Sequence, residues 1–397
     1  MMPSEKNIHI ISFNIPYPAD YGGVIDVFYK LKALADQGIK VHLHCYQYGR
    51  PTSEVLENIC HKVYYYKRKI YKDPIFTRQP YIVATRNTTE ILQNLLKDDY
   101  PILFEGLHCC HYLAHPELQS RNKIVRMHNI EHVYYRSLAR IEKNVFKKYF
   151  FYTEAERLKT FERVLTNAGT IAAISPDDYH NLRKKYDNVT YLPVFHGNSE
   201  VKILPGMGEF AFYHGNLGVG ENNEAALYLV KDVFKNLDYP LIIAGMNPSK
   251  ELKKAVEECP HINLLSKAGT SEINNLIQTA HINILPTFQS TGMKLKLINV
   301  LYQGRHCVVN DKMVHNTGLE AMTHIANSPA DMRAMIEKLS NVSFTDHEIE
   351  NRKTTLYRTF DNQLNATKLI ERVFGNQASG VRGQEIGDRR QESGVRG

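Results

Sequence analysis

Short apolar runs alternate along this chain with longer segments in which apolar residues recur at helical spacing. The first run, Ile8-His9-Ile10-Ile11-Ser12-Phe13, predicts a strand. A loop rich in Pro, Asp and Gly follows. Val24, Val27, Phe28, Leu31, Leu34 and Ala35 then mark one face of a helix that Gly38 should end. Residues 41–46 read as the next strand. Strand, helix, strand at this spacing implies a parallel sheet with right-handed crossovers. Further strands are predicted at 62–66, 102–105, 123–127, 170–173 and 189–192. The charged helical stretch over 131–167 is too long for one helix, so a break is expected within it.

Periodicity lapses over 194–209, which reads as a linker, and then restarts. Strands are predicted at 210–214, 241–244, 262–265, 282–285 and 307–309. Helices fall between them, one of them apolar through Leu297, Ile298, Val300 and Leu301. The predicted class is α/β, with two Rossmann-like doubly wound domains, 1–193 and 210–345, facing a cleft. A helical segment, 346–375, follows, with Leu356, Phe360, Leu364, Leu369 and Val373 at apolar positions. Residues 376–397 repeat Ser-Gly-Val-Arg-Gly and predict a disordered tail.

Composition narrows the function. A length of 397 residues exceeds one core. No run of 18 apolar residues occurs, so no transmembrane helix is expected, and the polar start lacks the apolar core of a signal peptide. The six cysteines have neither metal nor disulfide spacing and read as reduced thiols of a cytoplasmic protein. A net charge of +7 suits phosphates or an anionic membrane surface, and no nucleic-acid motif accompanies it, so no nucleic-acid partner is expected. Lys143, Lys147 and Lys148 precede Tyr149-Phe150-Phe151-Tyr152, and Tyr64-Tyr65-Tyr66 precedes Lys67-Arg68-Lys69. Basic residues beside aromatics suit an anionic bilayer; a solvated helix face over an aromatic core stripe is the plainer alternative.

Candidate chemistry lies in the loops at the predicted strand ends. Thr291-Gly292-Met293-Lys294-Leu295-Lys296 opens the apolar helix with cations where the helix dipole disfavours them, which makes sense around a bound anion. Gly22-Gly23 lets backbone approach a ligand, but without the G-x-G-x-x-G spacing of nicotinamide or flavin sites. His128, Asn129 and Glu131 follow a strand directly, and imidazole and carboxylate can exchange protons or hydrogen bonds with a sugar hydroxyl. Gly215, Asn216, Gly218 and Gly220 form a further glycine-rich turn ahead of Asn222-Asn223.

Taken in order, these pieces resemble the GT-B glycosyltransferases of the large family 4 type, which includes bacterial polysaccharide sugar transferases. The likeness rests on Pro16-x-Pro18 with Gly22-Gly23, His128-Asn129-Ile130-Glu131, Ile174-Ser175-Pro176, His214-Gly215-Asn216, Ile243-Ala244-Gly245 and Gly292-x-Lys294-x-Lys296. The resemblance implies a nucleotide-sugar donor on the second domain and a glycan or lipid-linked acceptor on the first. It implies no metal and no cofactor, since helix dipoles and basic side chains stabilise the departing diphosphate. Gly22, Gly23, Gly215, Asn216, Gly292, Lys294, Lys296 and Asn299 would bind donor; i and i+2 do not share a helix face, so one lysine is expected in the site, and the family pattern favours Lys296. His128 and Glu131 would be catalytic. The segment 346–375 would cross back to the first domain. The implied activity is retaining hexosyl transfer in surface-polysaccharide assembly by a cytoplasmic enzyme; membrane association is a separate expectation that rests on the basic–aromatic segments. Thr291 and Asn299 stand where the family commonly carries two glutamates. A non-catalytic binding homologue and a nucleotide-sugar epimerase are the alternatives.

Overall fold

The structure is a computed structural model that describes residues 5–70, 79–142, 144–288, 294–315 and 317–375. Thr291, Gly292, Lys143 and the tail 376–397 lie outside the described residues. The apolar runs of the first half form β1 (Asn7–Ser12), β2 (Lys40–Gln47), β3 (Lys62–Lys67), β4 (Ile102–Glu105), β5 (Lys123–Met127), β6 (Thr170–Ala173) and β7 (Val189–Tyr191). They pair in parallel in the order β3-β2-β1-β4-β5-β6-β7. Helices α1 (Gly22–Asp36), α2 (Glu54–Ile59), α3 (Tyr81–Ala84), α4 (Thr89–Leu95), α5 (Glu131–Ile141), α6 (Val145–Phe161) and α7 (Pro176–Arg183) run between the strands. Apolar clusters on both faces bury β4 and β5 completely, which is why these strands read as continuous runs rather than alternating ones. Gly38, at φ 75°, takes the left-handed position that ends α1.

The expected break within 131–167 falls between α5 and α6. Asn144 caps α6 by accepting from the backbone N–H groups of Phe146 and Lys147 at 3.0 and 3.1 Å. The two helices pack as a hairpin, with Tyr135 edge-on to Phe151.

The second sheet contains β8 (Ala211–His214), β9 (Leu241–Ala244), β10 (Ile262–Leu265), β11 (Ile282–Leu285), β12 (His306–Val309) and β13 (His324–Ile325). These strands are also parallel, in the order β10-β9-β8-β11-β12-β13. Its helices are α8 (Gly220–Tyr228), α9 (Lys250–Glu257), α10 (Thr270–Thr279), α11 (Leu295–Gln303), α12 (Asp311–Val314) and α13 (Pro329–Leu339). The closing segment is two helices, α14 (Asp346–Phe360) and α15 (Asn362–Phe374). Asp361 separates them and caps α15 through the Leu364 N–H at 2.7 Å. Leu356 and Phe360 of α14 join the core of the second sheet. Ala366, Leu369 and Val373 of α15 join the cluster of Leu31 and Leu34 on α1, and Asn122 Nδ2 donates to the Val373 carbonyl at 2.7 Å. Among the described residues no helix is long and apolar enough to cross a membrane.

In each sheet the strand order reverses once, between β1 and β4 and between β8 and β11. Ligand crevices of open α/β sheets form at such points, at the carboxyl ends of the strands. The two crevices are neighbours. A Cβ on Gly22, at the start of α1, would stand 3.8 Å from Leu295 Cδ1, at the start of α11.

Several histidines are buried in the two cores. Asp98, His9, His44, Tyr66 and Asn94 form a hydrogen-bonded chain, each link 2.8 Å. Burial pushes His44 well below its ordinary value, His196 down to about 4 and His214 down to about 3. The folded chain therefore keeps these rings neutral where the unfolded chain protonates them. Their contribution to stability is present above about pH 6.5 and is lost as the pH falls, by up to about 1.4 kcal/mol per pH unit for each ring. The melting temperature should drop steadily from neutral pH toward pH 5; a flat profile would show that these rings are not buried neutral.

Candidate active site

Beneath the first crevice lies a closed set of charges. Asp26 and Lys30 sit one turn apart on α1, Glu105 ends β4, and Arg126 is in β5; none exposes any surface. Lys30 Nζ is 3.0 Å from Asp26 Oδ2 and 2.7 Å from Glu105 Oε1. Arg126 meets Asp26 with two nitrogens, Nη2 at 2.9 Å and Nε at 3.2 Å. It also donates to the carbonyls of Leu192 and Pro193, while the Phe195 N–H donates to Asp26 Oδ1 at 2.8 Å. The start of the linker is thus held by the floor of the crevice. Burial alone would raise the Asp26 carboxyl, but Arg126, Lys30 and His128 outweigh it and hold it well below the usual carboxylate range. Burial likewise works against Glu105, and Lys30 and His128 bring its carboxyl below the ordinary value.

His128 stands on this floor. Its Nε2 donates to Glu105 Oε2 at 2.9 Å, and its Nδ1 lies 3.9 Å from Asp26 Oδ2. Phe13 meets the ring edge-on at 5.5 Å. Nε2 is thus committed to Glu105, while Nδ1 has no hydrogen-bond partner among the described residues. Ligand atoms of Asp26, Glu105 and His128 lie within 4.8 Å of one another, the spacing of a metal trio. Lys30 and Arg126 already fill the cation role between these carboxylates, so the donor set does not suit an added ion.

Glu131, the first residue of α5, has the opposite environment. It is 2% exposed, and its Oε1 has no hydrogen-bond partner. His108 Nδ1, also without a hydrogen bond, lies 3.8 Å away. Burial, with Asp178 adding to it, raises the Glu131 carboxyl to about 8, against the pull of Arg86 and a hydrogen bond from Asn129. A helix N-terminus favours a carboxylate by only about 0.3–1 kcal/mol, whereas burying an unpaired charge costs several. Burial wins, and Glu131 is a neutral acid at neutral pH, able to donate a hydrogen bond. Burial also raises Asp178 to about 6 and pushes His108 well below its ordinary value.

The second crevice is built from the ends of β8, β9 and β11. A Cβ on Gly245 would overlap the Gly215 carbonyl, and one on Gly215 would stand 2.9 Å from Asn222 Cγ, so both glycines permit close approach of the strand ends. Asn216 closes the turn, its Oδ1 accepting from the Gly218 N–H at 3.1 Å and its carbonyl accepting from Asn222 Nδ2 at 3.0 Å. Helices α1, α8 and α11 all begin without a side-chain cap. The uncapped starts leave N–H groups available to an anion.

Both lysines converge there. Lys296 Nζ donates to Asn222 Oδ1 at 2.7 Å and lies 5.3 Å from the Tyr213 ring centre; Lys294 Nζ is 3.4 Å from Glu221 Oε1. The expected obstacle, that residues i and i+2 point apart, does not arise. Lys294 is the N-cap of α11, with φ −88° and ψ 83°, and so is not helical. Burial lowers the Lys296 ammonium to about 8, with Lys294 adding to the shift and Glu221 opposing it. Burial and then Lys296 keep His214 neutral, with its Nε2 unpaired. Thr287 Oγ1 also donates to Glu221.

The structure therefore groups Gly215, Asn216, Lys294 and Lys296 in one crevice, with Gly22 beside the start of α11. Gly23 backs onto the Phe13 ring, 2.7 Å from a hypothetical Cβ. Gly292 and Thr291 lie outside the described residues. Asn299 turns away from the lysines: its Nδ2 is 3.4 Å from Asn274 Oδ1 on α10, and its Oδ1 accepts from Gln303 Nε2 at 2.6 Å. The sequence reading missed Asp26, Lys30, Glu105, Arg126, His108 and Glu221. One signal was available: Asp26 and Lys30 interrupt an apolar helix face at i, i+4, where a pair is needed to neutralise charge.

Two outcomes follow from this electrostatic arrangement. Arg126→Met leaves Asp26 and Glu105 with one cation between them and should cost about 3–5 kcal/mol in urea unfolding; a loss below about 1 kcal/mol would mean that the network is not closed as described. Glu131→Gln mimics the neutral acid. The raised carboxyl favours folding at acid pH and loses that advantage as the pH rises toward 8. The variant should therefore be about 1–3 kcal/mol more stable than the parent at pH 7, with the gap closing toward pH 5. A pH-independent gap would contradict the raised carboxyl.

No family model matches the chain. A Klebsiella pneumoniae protein described as an uncharacterized 44.6 kDa protein in the cps region is 28% identical over 312 residues, which cover 74% of this chain and 80% of that protein. Among solved structures, sucrose-phosphate synthase from Thermosynechococcus elongatus superposes with a TM-score of 0.66 at 13% identity, over 94% of this chain and 99% of that one. Anabaena Alr3699/HepE, in complex with UDP and glucose, superposes with a TM-score of 0.62 at 10% identity, over 92% and 99%. At such identities the likeness is one of architecture, and the architecture is that of the GT-B glycosyltransferases.

Proposed function

We propose that the chain is a glycosyltransferase, moving a hexosyl group from a nucleotide-sugar donor to a hydroxyl of a glycan or lipid-linked acceptor in surface-polysaccharide assembly. The observation that carries this reading is the convergence of Lys294 and Lys296 on the uncapped start of α8, beside the uncapped start of α11. As the sugar leaves, negative charge accumulates on the diphosphate. Preformed N–H groups and ammoniums meet that charge without reorganisation, so no metal or cofactor is required. The cps-region relative and the UDP and glucose in Alr3699/HepE support the donor class and the setting.

The acceptor side belongs to the first crevice. Neutral Glu131 can donate a hydrogen bond to an acceptor hydroxyl, and His108 Nδ1 can accept one. His128, bonded to Glu105, fixes the loop from which Glu131 projects. We read the transfer as retaining, the acceptor attacking on the face the diphosphate leaves, so that no protein nucleophile is needed. A second reading, a nucleotide-sugar-binding homologue without turnover, is favoured by Asn299, a neutral amide engaged with Asn274 and Gln303. Slow donor hydrolysis by the purified chain would separate the two, since a pure binder shows none.

Lys296→Ala should weaken nucleoside-diphosphate binding about 10–100-fold, the worth of a charge-assisted hydrogen bond, as read by thermal shift across a panel of nucleotides. The ammonium is charged below about 8, so the affinity of the parent should fall as the pH rises through that value, and Lys296→Arg should not show this fall. Equal binding by the alanine variant would sink the assignment of this crevice.

A further inference from the structure

We propose that the α5–α6 hairpin docks the protein on an anionic bilayer surface. Of the nineteen exposed large apolar side chains among the described residues, six lie within the hairpin: Val133, Ile141, Val145, Phe146, Tyr149 and Tyr152. Phe146 is 87% exposed, Val145 74%, Tyr149 60% and Ile141 58%. Val145, Tyr149 and Tyr152 follow i, i+4, i+7 spacing along α6. Glu154, Ala155 and Leu158 of the same helix are buried. The aromatic run thus divides. Phe150 turns in against Tyr81 and Phe151 against Tyr135, while Phe146, Tyr149 and Tyr152 remain outside.

Cations surround this apolar stripe. Arg140 and Lys147 are exposed and Lys148 is half-buried, and none has a salt bridge among the described residues. The nearby acids are engaged: Glu142 accepts from the Asn144 N–H, and Glu156 pairs with Arg136. The second basic-aromatic segment joins the same side of the domain. The Arg68 guanidinium lies 5.9 Å from the Tyr81 ring centre, and Tyr81 is edge-on to Phe150. Exposed Lys67, Lys69 and Ile70 flank Arg68. Aromatic and aliphatic side chains interleaved with lysine fit the headgroup boundary of an anionic membrane. Lysine is depleted at protein–protein interfaces, which argues against a protein occupant.

The placement matters for the crevice. Helix α5 begins at Glu131 and ends at the docked tip, Ile141, so its 11 residues span about 16 Å. A hairpin resting at the headgroups would hold the first crevice within reach of an acceptor whose lipid end stays in the bilayer.

Co-sedimentation of the full chain with phosphatidylglycerol–phosphatidylcholine vesicles, without nucleotide sugar, tests the inference independently of the transferase reading. The parent should bind these vesicles, release at high salt and bind pure phosphatidylcholine at least about tenfold more weakly. Phe146→Glu/Tyr149→Glu should lose about tenfold or more in affinity with an unchanged melting temperature. Lys147→Gln/Lys148→Gln should lose binding to anionic vesicles alone. Absence of binding by the parent, equal binding by either variant, or equal binding to the two vesicle types would overturn the proposal. So would sedimentation velocity showing a dimer that Phe146→Glu/Tyr149→Glu breaks, since a second copy would then be the occupant.

Discussion

A carboxylate with no exposed surface can stay charged only where cations reach it, and Asp26 satisfies this condition through Lys30 and Arg126. Much else depends on that solution. Asp26 and Lys30 fix the rotation of α1, whose first turn stands at the crevice. Glu105 and Arg126 fix the ends of β4 and the register of β5. The spare donors of Arg126 hold the Leu192 and Pro193 carbonyls, and Asp26 holds the Phe195 N–H. The network is therefore both the floor of the first crevice and the anchor from which the chain departs toward the second sheet. Replacing such a network wholesale by apolar residues can be neutral, but removing one member cannot, because the charge left behind has nowhere to be solvated.

The second crevice shows the reverse situation. Lys294 and Lys296 bring positive charge to two helix starts that are themselves positive. Without a ligand this arrangement is unfavourable, and burial has already weakened the hold of Lys296 on its proton. Glu221, with Thr287 donating to it, is the nearby acid that balances Lys294. A diphosphate would meet a site that is net positive even so, with two ammoniums and the N–H groups of α8 and α11 against one carboxylate. In the proposed reading, the strain of holding like charges together would be relieved by an arriving anion, and more so as charge develops on a leaving group.

Strand positions were legible because parallel strands buried on both faces, as β4, β5, β11 and β12 are, are rich in apolar residues. The break before α6 was legible from length. Two boundaries were not legible. The strand β13 has only two residues, too few for any period, and it exists because β12 offers it an edge. The segment after Thr345 reads as one amphipathic helix, yet Asp361 divides it, because α14 belongs to one core and α15 to another. The lysines were found by charge at a helix start. Their relation to each other depended on where the helix begins, and that is set by the packing of Leu297 and Ile298. The network around Asp26 was invisible for a different reason: its partners are separated by 75 and 100 residues, and only the sheet order brings them together.

Two carboxyls near one crevice show how little residue identity decides alone. Asp26 and Glu131 are equally hidden from water. Asp26 has a guanidinium and an ammonium in contact and stays charged well below the usual range. Glu131 has a neutral imidazole at 3.8 Å and the carboxyl of Asp178 nearby, and it stays protonated to about 8. Asp26, with every lone pair committed, is suited to holding structure. Glu131, with an unpaired oxygen and a retained proton, is suited to meeting a hydroxyl. His128 follows the same logic. Glu105 holds its Nε2, while its Nδ1, 3.9 Å from Asp26, is left without a hydrogen bond, as are Glu131 Oε1 and His108 Nδ1 beside it.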